Sequence, residues 1–277
     1  ARKATKNIDG ESMTGWFTED FTLAELKTLR ARERLPDLRK SNTRYDGMFV
    51  IPTFDEVLDL VAAAEAQRAA AARAAGLPPP RRIGIYPETK HPSYFATLGL
   101  SFDDAMLEAL TRHGYGKRSD PVYLQSFEIA NLKALRRRTD LSLVQLVSPS
   151  GQPFDFTLAG DPRTYLDLMN DPGLREIAAY ADAIGPHKGM VVQFGAEGAR
   201  DTGLARRARA AGLGIHVWTL RAENEFLPVV LRSAGDSAAH GNLAGEIQAL
   251  LDAGITGFFS DHPDIAVHAR DDWWGRQ

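Results

Sequence analysis

Residues Ile83–Pro92 read IGIYPETKHP, and the alternation in this stretch decides how the rest of the chain is read. Successive side chains of a strand point to opposite faces, so Ile83 and Ile85 share one face while Tyr86, Glu88 and Lys90 share the other. Strands of an open parallel sheet are usually apolar on both faces. A strand that is apolar on one face and ends in a carboxylate and an ammonium on the other suits a barrel whose upper interior is a site.

The pattern recurs downstream. Short apolar runs appear at PVYLQSF, LSLVQLV, DAIGP, GIHVWTL and TGFFS. Helical patterns separate them: FDDAMLEALTRHG, EIANLKALRRR, PGLREIAAYA, GLARRARAAG, LAGEIQALLDAG and PDIAVHA. Strand and helix in alternation argue for a parallel sheet. Six strand–helix units can be read in this way, whereas a closed (β/α)8 TIM-type barrel has eight. The helix over 53–75 has no readable strand before it. The expectation is therefore a (β/α)8 barrel with strands 1 and 2 missing from this chain. Residues 1–50 are expected to be an irregular segment following the absent second strand, 51–270 the barrel units from helix 2 to helix 8, and 271–277 a tail.

Two N-terminal helices announce themselves by capping boxes. Thr22 with Glu25 opens TLAELKTLRARE, and Thr53 with Glu56 opens a longer helix that Gly76 ends. The segment SPSGQPFDFTLAGDPRTYLDLMND reads as a long loop after a strand end, placed to overhang a site.

The totals exclude several classes. The chain has 277 residues, 44% hydrophobic and 25% charged, with a net charge of −3 and no cysteine. Thiolate zinc sites, disulfides and thiol nucleophiles are ruled out. No global positive field points to nucleic acid, and no run approaches the roughly 20 apolar residues of a membrane span. No Walker, dinucleotide or Gly-x-Ser-x-Gly motif is present.

Barrel enzymes place their chemistry at strand carboxyl ends. Glu88 there is a candidate ligand for a hard divalent cation, and Lys90 a partner for phosphate charge; a surface ion pair is the competing account. Gln125 ends VYLQSF and could donate to a phosphoryl oxygen or cap the backbone. Trp218 offers a flat wall for a glycerol or sugar edge, or a core aromatic. Arg221 follows on the loop and faces either a phosphate or solvent. His216 reads as a hydrogen-bonded interior residue, and Asp261 in SDHPD as a helix N-cap.

Taken in order, IPTFDEVLDLV, IGIYPETKHPSYF, VYLQSF, LVQL, ADAIGP, IHVWTLR and GFFSDHPD resemble the glycerophosphodiester phosphodiesterases, especially the exported bacterial type. The likeness runs from about Asn7 to about His268. It implies a (β/α)8 barrel that hydrolyses glycerophosphodiesters to glycerol 3-phosphate and an alcohol with a divalent cation, Ca2+ or Mg2+. It implies Glu88 as a metal ligand, Lys90 as the phosphate-facing lysine, and Gln125, Trp218 and Arg221 as substrate-binding residues. It also implies a small-molecule partner, no nucleic acid, no stable membrane insertion, and a periplasmic or secreted location. The family's His-Arg-Gly, Glu-x-Asp and His-Asp motifs, which carry its acid–base histidines and two further metal carboxylates, are not in this sequence. On that reading the 277 residues alone are expected to be inactive. The alternatives are a non-catalytic phosphodiester-binding barrel and a phosphatidylinositol-type phosphodiesterase.

Overall fold

The computed structural model describes residues 2–276. The chain opens with an antiparallel hairpin, β1 (Ala4–Ile8) and β2 (Glu11–Gly15), turned by Asp9 and Gly10. Both turn residues have positive φ, 51° and 87°, the turn geometry that Asp-Gly favours because it follows strand twist. The expected irregular start is corrected here. β2 is almost wholly exposed, so no apolar alternation marks it.

α1 (Leu23–Leu26) keeps the Thr22–Glu25 capping box but is a single turn, not the longer helix expected. Leu23 of α1 and Leu29 beyond it stay exposed, and Ala31 N instead donates to Phe49 O at 2.8 Å. α2 (Phe54–Ala74) forms as read. Glu56 N donates to Thr53 Oγ1 at 3.2 Å, and Thr53 N donates to Glu56 Oε2 at 2.7 Å.

Strands and helices then alternate. α3 (Pro92–Thr97) and α4 (Asp103–Arg112) lead to β3 (Tyr123–Ser126), α5 (Ile129–Arg136), β4 (Ser142–Val147), α6 (Phe154–Ala159), α7 (Asp171–Ala178) and β5 (Ala183–Pro186). A second hairpin follows, β6 (Val192–Gly195) with β7 (Gly198–Asp201). Then come α8 (Leu204–Ala210), β8 (Gly214–Leu220), α9 (Leu243–Asp252), β9 (Gly257–Ser260) and α10 (Pro263–Trp274). The expected long loop thus contains α6, and the β6–β7 hairpin was not foreseen; its exposed β7 gives no alternation to read.

Five strands form one parallel sheet in the order β3-β4-β5-β8-β9. Residues 85–89 add to the β3 edge: Tyr123 N donates to Ile85 O at 2.9 Å, Gln125 N to Pro87 O at 3.0 Å, and Thr89 N to Gln125 O at 2.9 Å. Pro87 accepts but has no N–H to return, which suits an edge. The sheet is curled. Tyr86, at its first edge, stacks on Tyr123 at 5.2 Å and meets Phe259 of β9, at its last, edge-on at 4.7 Å. This is the curvature of a TIM-type barrel.

Leu124, Leu143, Ile184, Ile215 and Val217 of the strands pack against Leu132, Leu135, Leu174, Ile177, Ala205, Ile247 and Leu250 of the helices, all buried. One buried ion pair crosses this layer: Lys188, just beyond β5, reaches Glu246 of α9 at 2.8 Å. At Gly257 a Cβ would lie 2.6 Å from His216 Cδ2, so the strand carries no side chain where the imidazole passes.

Candidate functional site

The site begins with the strand at 85–89. Thr89 is buried with its hydroxyl donating to Asn131 Oδ1 at 2.7 Å. Alternation then puts Glu88 and Lys90 on the opposite face, toward the barrel mouth. Lys90 Nζ lies 3.1 Å from Glu88 Oε1. That oxygen nevertheless receives no aligned N–H, and among the described residues it is a buried acceptor without a hydrogen-bond donor. The contact is a close ion pair outside hydrogen-bond geometry. Gln125, paired in register with Glu88, carries a second such oxygen, Oε1.

Trp218 sits late in β8. Its Nε1 donates to Gly185 O at 2.8 Å, and its ring meets Phe127 at 5.9 Å and His187 at 5.2 Å, both edge-on. Arg221 donates from Nε to Asp261 Oδ2 at 2.8 Å and lies over Phe226 at 4.6 Å. Asp261 was expected to cap the final helix. Instead His262 holds that position, and Asp261 accepts from both Arg221 and Arg39, the latter at 2.8 Å. Burial pushes the Asp261 carboxyl up, but the two arginines outweigh it and hold the group below its ordinary range. Arg39 also donates to buried Glu223 at 2.6 Å, docking the N-terminal segment on the barrel mouth.

Glu88, Lys90, Gln125, Trp218 and Arg221 all line one cavity of about 370 Å3, with Phe127 and Phe259. The structure brings the five sequence candidates together. Below its floor lies His216, buried and sharing a 2.7 Å hydrogen bond between Nδ1 and the Tyr86 hydroxyl. Burial lowers its pKa to about 4.

A second cavity, of about 460 Å3, shares Glu88, Lys90 and Phe127 with the first. Loops supply most of its wall. Asp9 and Glu11 come from the first hairpin, His91 from the α3 entry, and Phe154 and Tyr165 from the segment after β4. His91 has φ of 54°, a left-handed position before a proline, and its Nδ1 lies 2.6 Å from Asp9 Oδ2. Asp9 Oδ1 is buried without a donor among the described residues. Glu128 also lines this space. Its carboxylate accepts from Ser93 N at 3.2 Å and from the Ser93 hydroxyl, and burial raises its pKa. Sequence reasoning missed Asp9, Glu11 and the His91 contact; the Asp-Gly turn signal was the only available clue.

A divalent cation needs oxygen donors that nothing else occupies. Glu88 Oε1 and Gln125 Oε1, both buried and without donors, fit that need. Glu223, His240 and His262 also bring one potential ligand atom each within 4.8 Å of one another. The sequence reading saw no such grouping, because two connections assemble it, Glu223 and His240 from the one between β8 and α9 and His262 from the one after β9. Arg39 already pairs with Glu223, and His262 Nδ1 accepts Ala222 N–H at 3.2 Å. That places the proton of neutral His262 on Nε2, 3.6 Å from Glu223. Glu223 Oε2 is nevertheless, like Glu88 Oε1 and Gln125 Oε1, buried without a donor among the described residues, so this trio and the Glu88–Gln125 pair both offer a free oxygen.

The profile of the glycerophosphoryl diester phosphodiesterase family matches residues 3–265. A glycerophosphodiester phosphodiesterase of Arabidopsis thaliana is 33% identical over 82% of this chain and 58% of its own length. One from Haemophilus influenzae is 27% identical over 91% of this chain and 69% of its own. The chain thus spans between half and three quarters of these relatives. A crystal structure from Silicibacter pomeroyi, titled as a glycerophosphoryl diester phosphodiesterase of this kind, superposes with a TM-score of 0.59 at 18% identity, covering 98% of this chain and 76% of that one. One from Agrobacterium tumefaciens gives 0.54 at 20% identity, over 94% and 74%. These two structures share the fold. The sequence match over residues 3–265 places the chain in the glycerophosphoryl diester phosphodiesterase family.

Proposed function

We propose that this chain forms the substrate-holding part of a glycerophosphodiester hydrolase, releasing glycerol 3-phosphate and an alcohol. The observation that carries the reading is the convergence of Glu88, Lys90, Gln125, Trp218 and Arg221 on one cavity in a chain whose residues 3–265 match the family. The phosphodiester lies beside Lys90, whose ammonium offsets charge on the phosphoryl oxygens as it grows. Arg221, aimed by Asp261, supports the same charge from the β8 side. Trp218 presents its ring to the glycerol carbons, and its anchored Nε1 fixes that wall.

Glu88 and Gln125 would hold a divalent cation, calcium or magnesium, through their free oxygens; bound there it supplies Lewis-acid polarisation of a phosphoryl oxygen. On this proposal two further strands complete the eight-stranded ring and bring the acid–base histidines, and the protein works in an exported compartment, as the likeness to exported members suggests. Among the described residues no helix is long and apolar enough to cross a membrane.

The natural gene product, assayed for glycerol 3-phosphate release from glycerophosphocholine with calcium or magnesium, is expected to turn over and to stop on chelation. Binding of glycerol 3-phosphate without any turnover would favour the non-catalytic barrel. Turnover of phosphatidylinositol alone would favour the lipid phosphodiesterase.

A further inference from the structure

Two contacts set the attitude of the Arg221 guanidinium. Its Nε donates to Asp261 Oδ2 at 2.8 Å, and its central carbon lies 4.6 Å from the middle of the Phe226 ring. The first fixes the direction of the planar group, and the second fixes its plane. Arg221 and Phe226 both belong to the connection 221–242 between β8 and α9. A surface connection holds a guanidinium still only where it is anchored. Asn224 accepts from Ser233 N at 3.0 Å and donates to Asp236 O at 3.0 Å, which ties the connection to itself and not to the barrel.

A tie to the barrel is made at Phe226. Its carbonyl accepts from Lys188 Nζ at 3.0 Å, a lysine that follows β5. The same ammonium meets both oxygens of Glu246, in the first turn of α9, at 2.8 and 2.9 Å. The Lys188 and Glu246 side chains are 11% and 2% exposed. Burial pushes the Glu246 carboxyl above its ordinary range, against the pull of the lysine beside it. Taking two charges out of water is costly, and a well-packed apolar pair of similar volume is often as stable or more so. Packing alone therefore gives no reason for a lysine at this place. What an apolar side chain cannot supply is the donor to Phe226 O.

We propose that Lys188 is a positioning residue for the hydrolysis. Held by Glu246, it fixes Phe226 by its carbonyl, and the Phe226 ring in turn holds the plane of Arg221 at the cavity. This rests on the function proposed above and adds to it a residue that does not line the cavity.

The test uses variants of the natural gene product assayed on glycerophosphocholine. Lys188→Met combined with Glu246→Leu removes both charges together, so no ion is left buried alone. Its thermal midpoint is expected to hold. Its kcat is expected to fall about 10- to 100-fold, as when a group that meets the reacting centre is misplaced by about 1 Å, with KM changing less. Phe226→Leu keeps the carbonyl and its bond to Lys188 but removes the ring, and should lose kcat to a similar extent. It carries the test alone if the double variant does not fold. In an Arg221→Ala background neither change should lower kcat by more than about twofold, because the group that they aim is gone. Wild-type kcat in either folded variant, or an undiminished loss in the Arg221→Ala background, would overturn the inference and leave the hydrolase reading standing. No hydrolysis by the wild type would overturn both.

Discussion

The cavity under Trp218 is walled mainly by strand ends; the cavity across Phe127 is walled mainly by loops. In the first, the side chains are held by the register of a parallel sheet and by anchors such as Trp218 Nε1 on Gly185 O. In the second, the hairpin turn at Asp9 reaches His91, 82 residues on, through one hydrogen bond. Rigid strand ends suit the reacting centre, where misplacement is costly. Loop-borne groups suit the part of a site that varies with substrate. The difference suggests that the chemistry belongs to the strand side.

The strand side is expected to show the larger effects. Lys90→Ala should lower kcat of the natural gene product by about 10²–10³, the usual cost of losing one preorganised group that meets transition-state charge. KM should change less. A loss confined to KM would put Lys90 with binding rather than chemistry and blur the contrast between the cavities.

The floor of the strand cavity gives a pH signature. His216 has a folded pKa of about 4 against an ordinary value near 6.5. Above the ordinary value the ring is neutral in both states and contributes no pH dependence. As pH falls from 6.5 toward 4, the unfolded chain takes a proton that the folded chain refuses, so stability falls. The total is about 3 kcal/mol, complete below pH 4. Urea unfolding of His216→Asn across this window should show a shallower decline than the wild type. Parallel curves would mean that the imidazole is open to water.

A smaller effect is expected at the wall. Trp218→Ala should raise KM about tenfold, consistent with the loss of one aromatic contact and its buried area. The thermal midpoint should move little, because the ring is only half-buried. A collapsed midpoint with unaltered kinetics would make Trp218 a core residue.

What the sequence showed follows the same division. Glu88, Gln125 and Trp218 sit on strands with two-residue alternation, so each side chain's face could be read locally. Glu56 and Thr53 were legible because a capping box is a local pairing. Asp9, Arg39 and Glu223 were not, since their partners lie far along the chain and only tertiary folding brings them together. Asp261 shows the opposite error. Its SDHPD setting favours a cap, but two arginines from other segments compete for the carboxylate and win. The first hairpin was hidden for a related reason: its second strand is almost wholly exposed and needs no apolar residues.

The central claim is that a strand-end carboxylate without a hydrogen-bond donor supplies a cation site for the reacting phosphate. It is tested most directly by titrating calcium and magnesium into the hydrolysis assay for the wild type and for Glu88→Gln. The account predicts that the variant needs at least about 100-fold more cation for half-maximal rate, since disturbing an outer partner of a metal ligand already costs 10–100-fold. Superimposable titrations from two equally folded proteins would contradict it.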